Sequence, residues 1–181
     1  MQLPAKEPIP VRVVSHNIRY AATSRFPHEQ PWSTRGPLLI SQLAAQATSE
    51  SSSSSASPSS SSSSPPLPTP SFLPHGLPVV IGLQEVLHEQ LTDILNGLNA
   101  ADDAAWTHLG VGRDDGATKG EYNPILYRPR QLRLLDYRTR WLSPTPDRPS
   151  FGWGAGSRRL VTVAVFEVRR RRPGGHHATA S

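Results

Sequence analysis

Apolar residues in the first hundred positions follow two different periodicities. β-branched residues dominate positions 11–18, and a continuous apolar run fills 78–84; both patterns are typical of strands that enter a core. At 38–47 and again at 87–98, apolar residues recur every three or four positions, which predicts one buried face on each of two helices. The pattern therefore predicts the order strand, helix, strand, helix.

The chain after Trp106 has a different pattern, made of short apolar stretches. Strands are predicted at 107–112, 125–128, 132–141 and 160–168, separated by Asp-Gly and Pro-rich turns. In the last of these, both alternating sets of side chains are largely apolar, so we expect both of its faces to be covered. A sheet with helices on one side and a second sheet on the other would meet that requirement.

A stretch rich in serine and proline interrupts this pattern. It cannot bury enough apolar surface to offset the entropy of ordering the chain, so we predict a disordered insertion at 48–77. The same stretch explains why only 36% of the 181 residues are hydrophobic. The remainder divides into an N-terminal extension at 1–10, a domain at 11–168 that contains the insertion, and a basic flexible tail at 169–181.

Composition removes several classes of function. There is no cysteine, so disulfides, thiolate zinc sites and cysteine nucleophiles are excluded. The first ten residues have no apolar segment, and no 18-residue apolar run occurs elsewhere, so we expect a soluble, intracellular protein without a signal peptide or membrane span. The net charge of +5 comes largely from the arginine run at 169–172. A solvated tail is favoured there over a nucleic-acid surface, because no aromatic residues are interleaved for base stacking.

Two polar residues stand where the strand pattern predicts only core. Asn17 closes the first predicted strand, and Glu85 closes the second. A carboxylate at such a position is costly unless a positive partner is present, and a hard cation such as magnesium is the simplest one. An ion pair with a nearby arginine, or capping of the following helix, remains open on this pattern alone.

Five short strings, in this order and spacing, carry a family resemblance. They are SHNIRY at 15–20, GLQEV at 82–86, GVGRDDG at 110–116, GEYNPILY at 120–127 and WLS at 141–143. They resemble the endonuclease/exonuclease/phosphatase family over 11–168, apart from the serine-rich insertion. The resemblance implies an α+β fold, a four-layer α/β/β/α sandwich of two mixed sheets with outer helices, present here as an incomplete N-terminal half.

The resemblance also implies roles for individual residues. Glu85 would be the direct ligand of Mg²⁺, with Mn²⁺ as a possible substitute, and Asn17 would help to position the metal and the scissile phosphate. Arg159 matches a family arginine that orients residues of the cleft. Glu121, Tyr122 and Asn123 would line the cleft rim. The implied activity is metal-dependent hydrolysis of phosphate esters, with nucleic acid, phospholipid and inositol phosphate substrates not distinguished and the oligomeric state left open.

Other cleft candidates have ordinary explanations. Arg113, Asp114 and Asp115 match a family loop, but a turn rich in Asp and Gly needs no catalytic role. His176 and His177 lie in the Gly-rich tail, where solvated histidines are the simpler interpretation.

The sequence also departs from the family pattern. The family strings that supply the base and further ligands, Asn-Thr-His-Leu-Asp, Gly-Asp-Phe-Asn and a terminal Asp-His, do not occur in it. Gly154 and Pro144 stand where acidic residues are usual. We therefore expect no turnover by this chain alone. A non-catalytic remnant or binding module of the same family is the alternative, and a basic nucleic-acid binder is a weaker one.

Overall fold

Two helices and six strands make up the described part of the chain. The computed structural model describes residues 8–48, 73, 76–101 and 106–170. In chain order the elements are β1 (Arg12–Asn17), α1 (Trp32–Thr48), β2 (Val79–Gln84), α2 (His88–Ala101), β3 (Thr107–Leu109), β4 (Ile125–Tyr127), β5 (Leu132–Trp141) and β6 (Leu160–Val168). No helix within these ranges is long and apolar enough to cross a membrane.

The larger sheet has four strands in the order β1-β2-β4-β3. β1 and β2 are parallel, and their register pairs Arg12 with Val79 and Asn17 with Gln84. β4 runs antiparallel to both β2 and β3. Because β1 and β2 are parallel neighbours, their carboxyl ends meet at the same edge of the sheet.

Both helices bury one face against the sheet, as the spacing of their apolar residues predicts. Leu43 on α1 and Ile94 on α2 are buried with Ile81 on β2 in a single apolar core. A fully buried aliphatic side chain of this size stabilises the fold by about 1.5–3 kcal/mol. The two helices also contact each other closely, since a Cβ added to Gly97 would meet Ile40 at 2.6 Å.

The remaining strands, β5 and β6, form a two-stranded antiparallel sheet with an irregularity between Leu134 and Asp136. This sheet packs on the larger one through the rings of Phe166 and Tyr127, whose centroids are 4.8 Å apart. The architecture is therefore mixed α/β, with helices on one sheet and a second sheet packed against it. The four-layer arrangement stays a prediction.

Most predicted elements are confirmed, with corrections at three of them. The prediction that both faces of the last strand are covered is wrong for the described residues, because Val163 and Val165 are 49% and 50% exposed. The first strand, predicted to enter the core, is an edge strand whose side chains alternate in burial, with Val13 71% exposed. β3 ends at Leu109 instead of 112, because Gly110 takes a φ of 121°.

Nearly all of the predicted insertion, and most of the two terminal segments, lie outside the described residues. Leu73 is buried and is described; the positions on either side of it are not. The predictions of a disordered insertion at 48–77 and of a flexible tail at 169–181 therefore stay predictions, and so does any role for His176 and His177.

Candidate functional site

Asn17 and Glu85 meet at the carboxyl ends of the two parallel strands. Asn17 is the last residue of β1, and Glu85 follows β2 directly. The Asn17 Nδ2 amide donates to Glu85 Oε1 at 3.0 Å, although the residues are 68 positions apart. The other amide atom, Asn17 Oδ1, accepts from the backbone N of Arg19 at 2.9 Å. The side chain of Asn17 is thus held between its own loop and the carboxylate.

Glu85 has an unusual backbone conformation. Its φ is 59°, in the left-handed region that glutamate rarely occupies. Such a conformation costs on the order of 1–3 kcal/mol and persists only where its surroundings enforce it. The next residue provides that enforcement, because Val86 and Tyr122 exchange two backbone hydrogen bonds, at 2.7 and 3.3 Å. Strain of this kind is concentrated at functional sites.

Two side chains fasten the loop that follows β1. The Arg35 guanidinium on α1 donates to the backbone carbonyls of Ile18, Arg19 and Tyr20. Gln90, which is completely buried, donates to the Arg19 carbonyl at 3.2 Å. These contacts fix the loop in which Arg19 has a φ of 58°.

Gln90 also connects this loop to the segment after Glu85. Its Oε1 accepts from the backbone N of Ala21 and from that of Leu87, each at 3.1 Å. The bond to Leu87 caps the start of α2 in the way that a glutamine in the first turn of a helix commonly does. One buried amide therefore holds both strand ends that carry Asn17 and Glu85.

A polar cavity of about 160 Å³ opens beside this pair. Three arginines and two glutamates contribute to its lining. The lining residues are Asn17, Gln84, Glu85, Arg113, Glu121, Asn123, Arg158, Arg159 and Leu160.

The arginines of the cavity differ in how firmly they are held. Arg113 Nη1 and Glu121 Oε2 are 2.7 Å apart, and each side chain is only 17% exposed. Arg158 Nη1 lies 3.3 Å from Asp114 Oδ1, with the side chains 30% and 41% exposed. Exposed ion pairs contribute about 0–1 kcal/mol, whereas removing one partner of a buried pair costs several times more. The Arg113–Glu121 ion pair is therefore costly to break, whereas the Arg158–Asp114 ion pair is broken at little cost.

Arg159 and Asn123 complete the rim. Arg159 is exposed, and no hydrogen bond or ion pair to the described residues holds its guanidinium. Its backbone carbonyl accepts from Leu142 N at 2.8 Å. Asn123 Nδ2 donates to the Leu160 carbonyl at 2.9 Å, which joins the segment before β4 to the start of β6. Among the described residues, Arg159 is thus a cavity-lining cation without an anionic partner.

Tyr122 does not line the cavity. It is 3% exposed, within the apolar core, and burial raises the pKa of its phenol. Its hydroxyl donates to the Ala117 carbonyl at 2.8 Å and lies 3.1 Å from His88 Nδ1. Its place is structural in this arrangement, since it supports the segment from which Glu121 and Asn123 project.

The acidic turn at 113–116 is explained by local hydrogen bonds. Asp115 Oδ1 accepts from the backbone N of Ala117 at 2.8 Å and of Lys119 at 2.9 Å, and these bonds lower the pKa of its carboxyl. Asp114 pairs with Arg158. Asp115 therefore orders the loop, and Asp114 takes part in the site only through its arginine partner.

The residues present fit one kind of metal better than others. Within the described ranges no group of three or more His, Asp or Glu side chains could hold a metal ion. A tetrahedral zinc site or an all-protein calcium cage needs such a group. Mg²⁺ is commonly held by one or two carboxylates together with water and substrate phosphate, and Glu85 with the neighbouring Asn17 matches that simpler requirement.

Of the residues predicted from sequence, the structure brings together Asn17, Glu85, Glu121, Asn123 and Arg159 around the cavity. Three lining residues were not predicted, namely Gln84, Arg158 and Leu160. Arg158 lies directly beside the predicted Arg159, but nothing in the sequence singled it out.

Comparison with solved structures places the chain in a fold family. An endonuclease/exonuclease/phosphatase family protein of Bacteroides thetaiotaomicron is similar with a TM-score of 0.65 and 27% identity, over 91% of this chain and 48% of that one. A mannosyl-6-phosphatase of the same organism is similar with a TM-score of 0.62 and 27% identity, over 88% and 46%. A family protein of Bacteroides vulgatus is similar with a TM-score of 0.59 and 30% identity, over 87% and 47%.

The sequence matches no family model and no curated protein. The chain spans less than half the length of the solved structures that it matches, while most of its own length is covered. The five sequence strings, the joined strand ends and these structures agree with one another. The chain is similar to endonuclease/exonuclease/phosphatase family proteins over about 90% of its own length, and its coverage of less than half of theirs fits an N-terminal half of that fold.

Proposed function

We propose that this protein takes part in the metal-dependent hydrolysis of phosphate esters, with Glu85 as the ligand of Mg²⁺ or Mn²⁺ and Asn17 as its neighbour. The observation that carries the proposal is the 3.0 Å contact between Asn17 Nδ2 and Glu85 Oε1 at the mouth of an arginine-rich cavity. A similar structure is that of a mannosyl-6-phosphatase, which supports a phosphate ester as the substrate.

Five of the lining residues have a task in this proposal. The bound cation would neutralise charge on a phosphoryl oxygen and on the leaving group. Glu85 would hold that cation, and Asn17 keeps the carboxylate oriented through its amide hydrogen bond. Arg159, which has no anionic partner among the described residues, binds a second phosphoryl oxygen. Arg113 and Glu121 form an ion pair on one side of the cavity, and their polar groups line it.

We propose further that the chain by itself does not turn over substrate. An attacking water needs a base within hydrogen-bond reach. None of the described histidines lines the cavity, and of its two carboxylates Glu121 is already paired with Arg113. The remaining carboxylate, Glu85, is the metal ligand and so cannot also serve as the base.

Calorimetric titration with Mg²⁺ and Mn²⁺ tests the metal proposal without depending on turnover. We expect the wild type to bind either cation and Glu85→Gln to bind at least about tenfold more weakly, because the amide lacks the ligand charge. Glu89→Gln is the matched control, since Glu89 is exposed on α2 and outside the cavity. Equal binding by wild type and Glu85→Gln would contradict the proposal.

Hydrolysis of 4-nitrophenyl phosphate and of its bis-ester tests the second part. We expect no release of nitrophenol above background by the 181-residue chain with either cation. Robust turnover that Glu85→Ala abolishes would show that the residues of this chain suffice for catalysis, and would leave the metal proposal standing.

A further inference from the structure

The described residues that line the cavity offer three places where a phosphoryl oxygen can be bound. One is the corner formed by Asn17 and Glu85, where a cation is proposed. The other two are the guanidinium groups of Arg158 and Arg159, both of which line the cavity. Arg113 is not a fourth, because Glu121 already engages it at 2.7 Å in a largely buried pair.

Phosphate monoesters and diesters differ in the number of oxygens that can occupy these places. A monoester has three non-bridging oxygens and carries close to two negative charges at neutral pH, because its second pKa is about 6. A diester has two non-bridging oxygens and one charge. The proposed cation and the two guanidinium groups can therefore each bind one non-bridging oxygen of a monoester. When a diester binds, one of the three has no non-bridging oxygen to bind.

We propose that Arg158 is a specificity-determining residue that selects phosphate monoesters over diesters by binding the third non-bridging oxygen. This inference rests on the proposed function, because it assumes that the phosphate sits between Glu85 and Arg159. It adds a substrate class and a residue outside the family strings found in the sequence.

The contacts of Arg158 suit a cation that exchanges its partner. Its bond to Asp114 is 3.3 Å long and exposed, so little is lost when a phosphate replaces the carboxylate. Its guanidinium carbon lies 4.6 Å above the centre of the Phe151 ring. This cation–π contact keeps the Arg158 side chain at the cavity rim whether it binds Asp114 or a phosphate. The Arg158 Nε is buried and has no hydrogen-bond partner among the described residues.

The size of the cavity agrees with recognition of the phosphate group itself. At about 160 Å³ it is well below the roughly 300–1,000 Å³ typical of sites that enclose a whole small molecule. A monoester can insert its terminal phosphate and leave the rest of the molecule at the rim, beside Phe151. A diester must also place a second substituent close to the arginines.

Calorimetry with phenyl phosphate and methyl phenyl phosphate in excess Mg²⁺ tests the proposal. These probes differ by one methyl group on a phosphoryl oxygen. We expect the wild type to prefer the monoester by about tenfold or more, as for a charge-assisted hydrogen bond, and Arg158→Gln to lose most of that preference. Arg133→Gln, which alters an exposed pair with Glu167 on the β5–β6 sheet, should keep it.

A second variant predicts a change in the opposite direction. Asp114→Asn releases Arg158 from its ion pair, so the affinity for phenyl phosphate should rise while that for methyl phenyl phosphate changes little. If circular dichroism shows that Arg158→Gln is poorly folded, Arg158→Lys takes its place. This variant retains the charge, so we expect it to keep part of the preference for the monoester. The wild-type preference should also fall as the pH drops below about 6, where the monoester loses its second charge.

Equal binding of both esters by the wild type, or a full preference in Arg158→Gln, would overturn the role of Arg158 and leave the proposed function intact. Binding of neither ester in the presence of Mg²⁺ would overturn both.

Discussion

Replacing Gln90 by leucine should damage both the stability of the fold and the geometry of the site. The side chain of Gln90 is completely buried and makes hydrogen bonds to Arg19, Ala21 and Leu87. Leucine has a similar volume, so the substitution leaves packing largely unchanged and removes the polar contacts. It therefore measures what one buried amide contributes to holding two strand ends together.

The magnitude follows from which groups lose their partners. The Arg19 carbonyl keeps a bond from Arg35 at 2.6 Å, so it stays satisfied. The backbone N–H groups of Ala21 and Leu87 lose their acceptor, and a buried donor left unsatisfied costs about 1–3 kcal/mol. The sum is about 2–6 kcal/mol, and we expect a value in the lower half because Ala21 and Leu87 are both only half-buried.

Urea unfolding followed by tryptophan fluorescence measures this loss, with the m-value as a check that the transition stays two-state. The matched control is Gln42→Leu, an exposed glutamine on α1, which should change stability by less than about 0.5 kcal/mol. Mg²⁺ affinity should also fall in Gln90→Leu, because the ends carrying Asn17 and Glu85 are no longer tied together. A stability within about 1 kcal/mol of the wild type would refute this account of Gln90.

Three further predictions concern other parts of the fold. Gly112→Ala should destabilise the loop before β4 by about 1–3 kcal/mol, because the added Cβ meets the Lys119 backbone; hydrogen exchange of the Arg113 amide should then accelerate. Burial lowers the pKa of His108 below 6.5, so its neutral form is favoured in the folded state and stability should decline as the pH falls below about 6.5; His108→Gln should flatten that decline in unfolding experiments between pH 7 and pH 5. Val163→Lys should reduce light scattering on heating with little change in the unfolding midpoint, because Val163 is 49% exposed on β6.

The hydrophobic pattern was enough to predict the elements of the fold. The periodicity at 38–47 and 87–98 predicted α1 and α2, and every predicted strand has a counterpart. The hydrophobic pattern did not predict how many faces of a strand are covered by other elements. Val163 alternates like a core residue, but burial depends on what packs against a strand, and period two cannot report that.

The candidate site was predicted in part. Asn17 and Glu85 were visible because polar residues closed two apolar runs, and parallel pairing of β1 and β2 brings them within 3.0 Å. Tyr122 shared a string with cleft residues, yet the strand geometry turns it into the core while Glu121 and Asn123 reach the cavity. Neighbours in sequence point to opposite sides of an extended segment, so a shared string does not imply a shared side.

Gln90 and Arg158 could not be assigned roles from the sequence. A glutamine in the first turn of a helix commonly caps that helix, but the sequence does not show that the segment after β1 also hydrogen-bonds to Gln90. Arg158 depends on two distant partners, Asp114 in the loop before β4 and Phe151 in the turn before β6. Contacts of this kind are set by tertiary packing, on which local pattern carries no information.

The proposed role of this site depends on a divalent cation binding at Glu85, the carboxylate that follows the second strand. Anomalous diffraction from crystals grown with Mn²⁺ tests this most directly. The account predicts a peak about 2 Å from a Glu85 carboxylate oxygen, adjacent to Asn17 and lost in Glu85→Gln. A peak held elsewhere, with the Glu85 carboxylate paired only to protein groups, would contradict it.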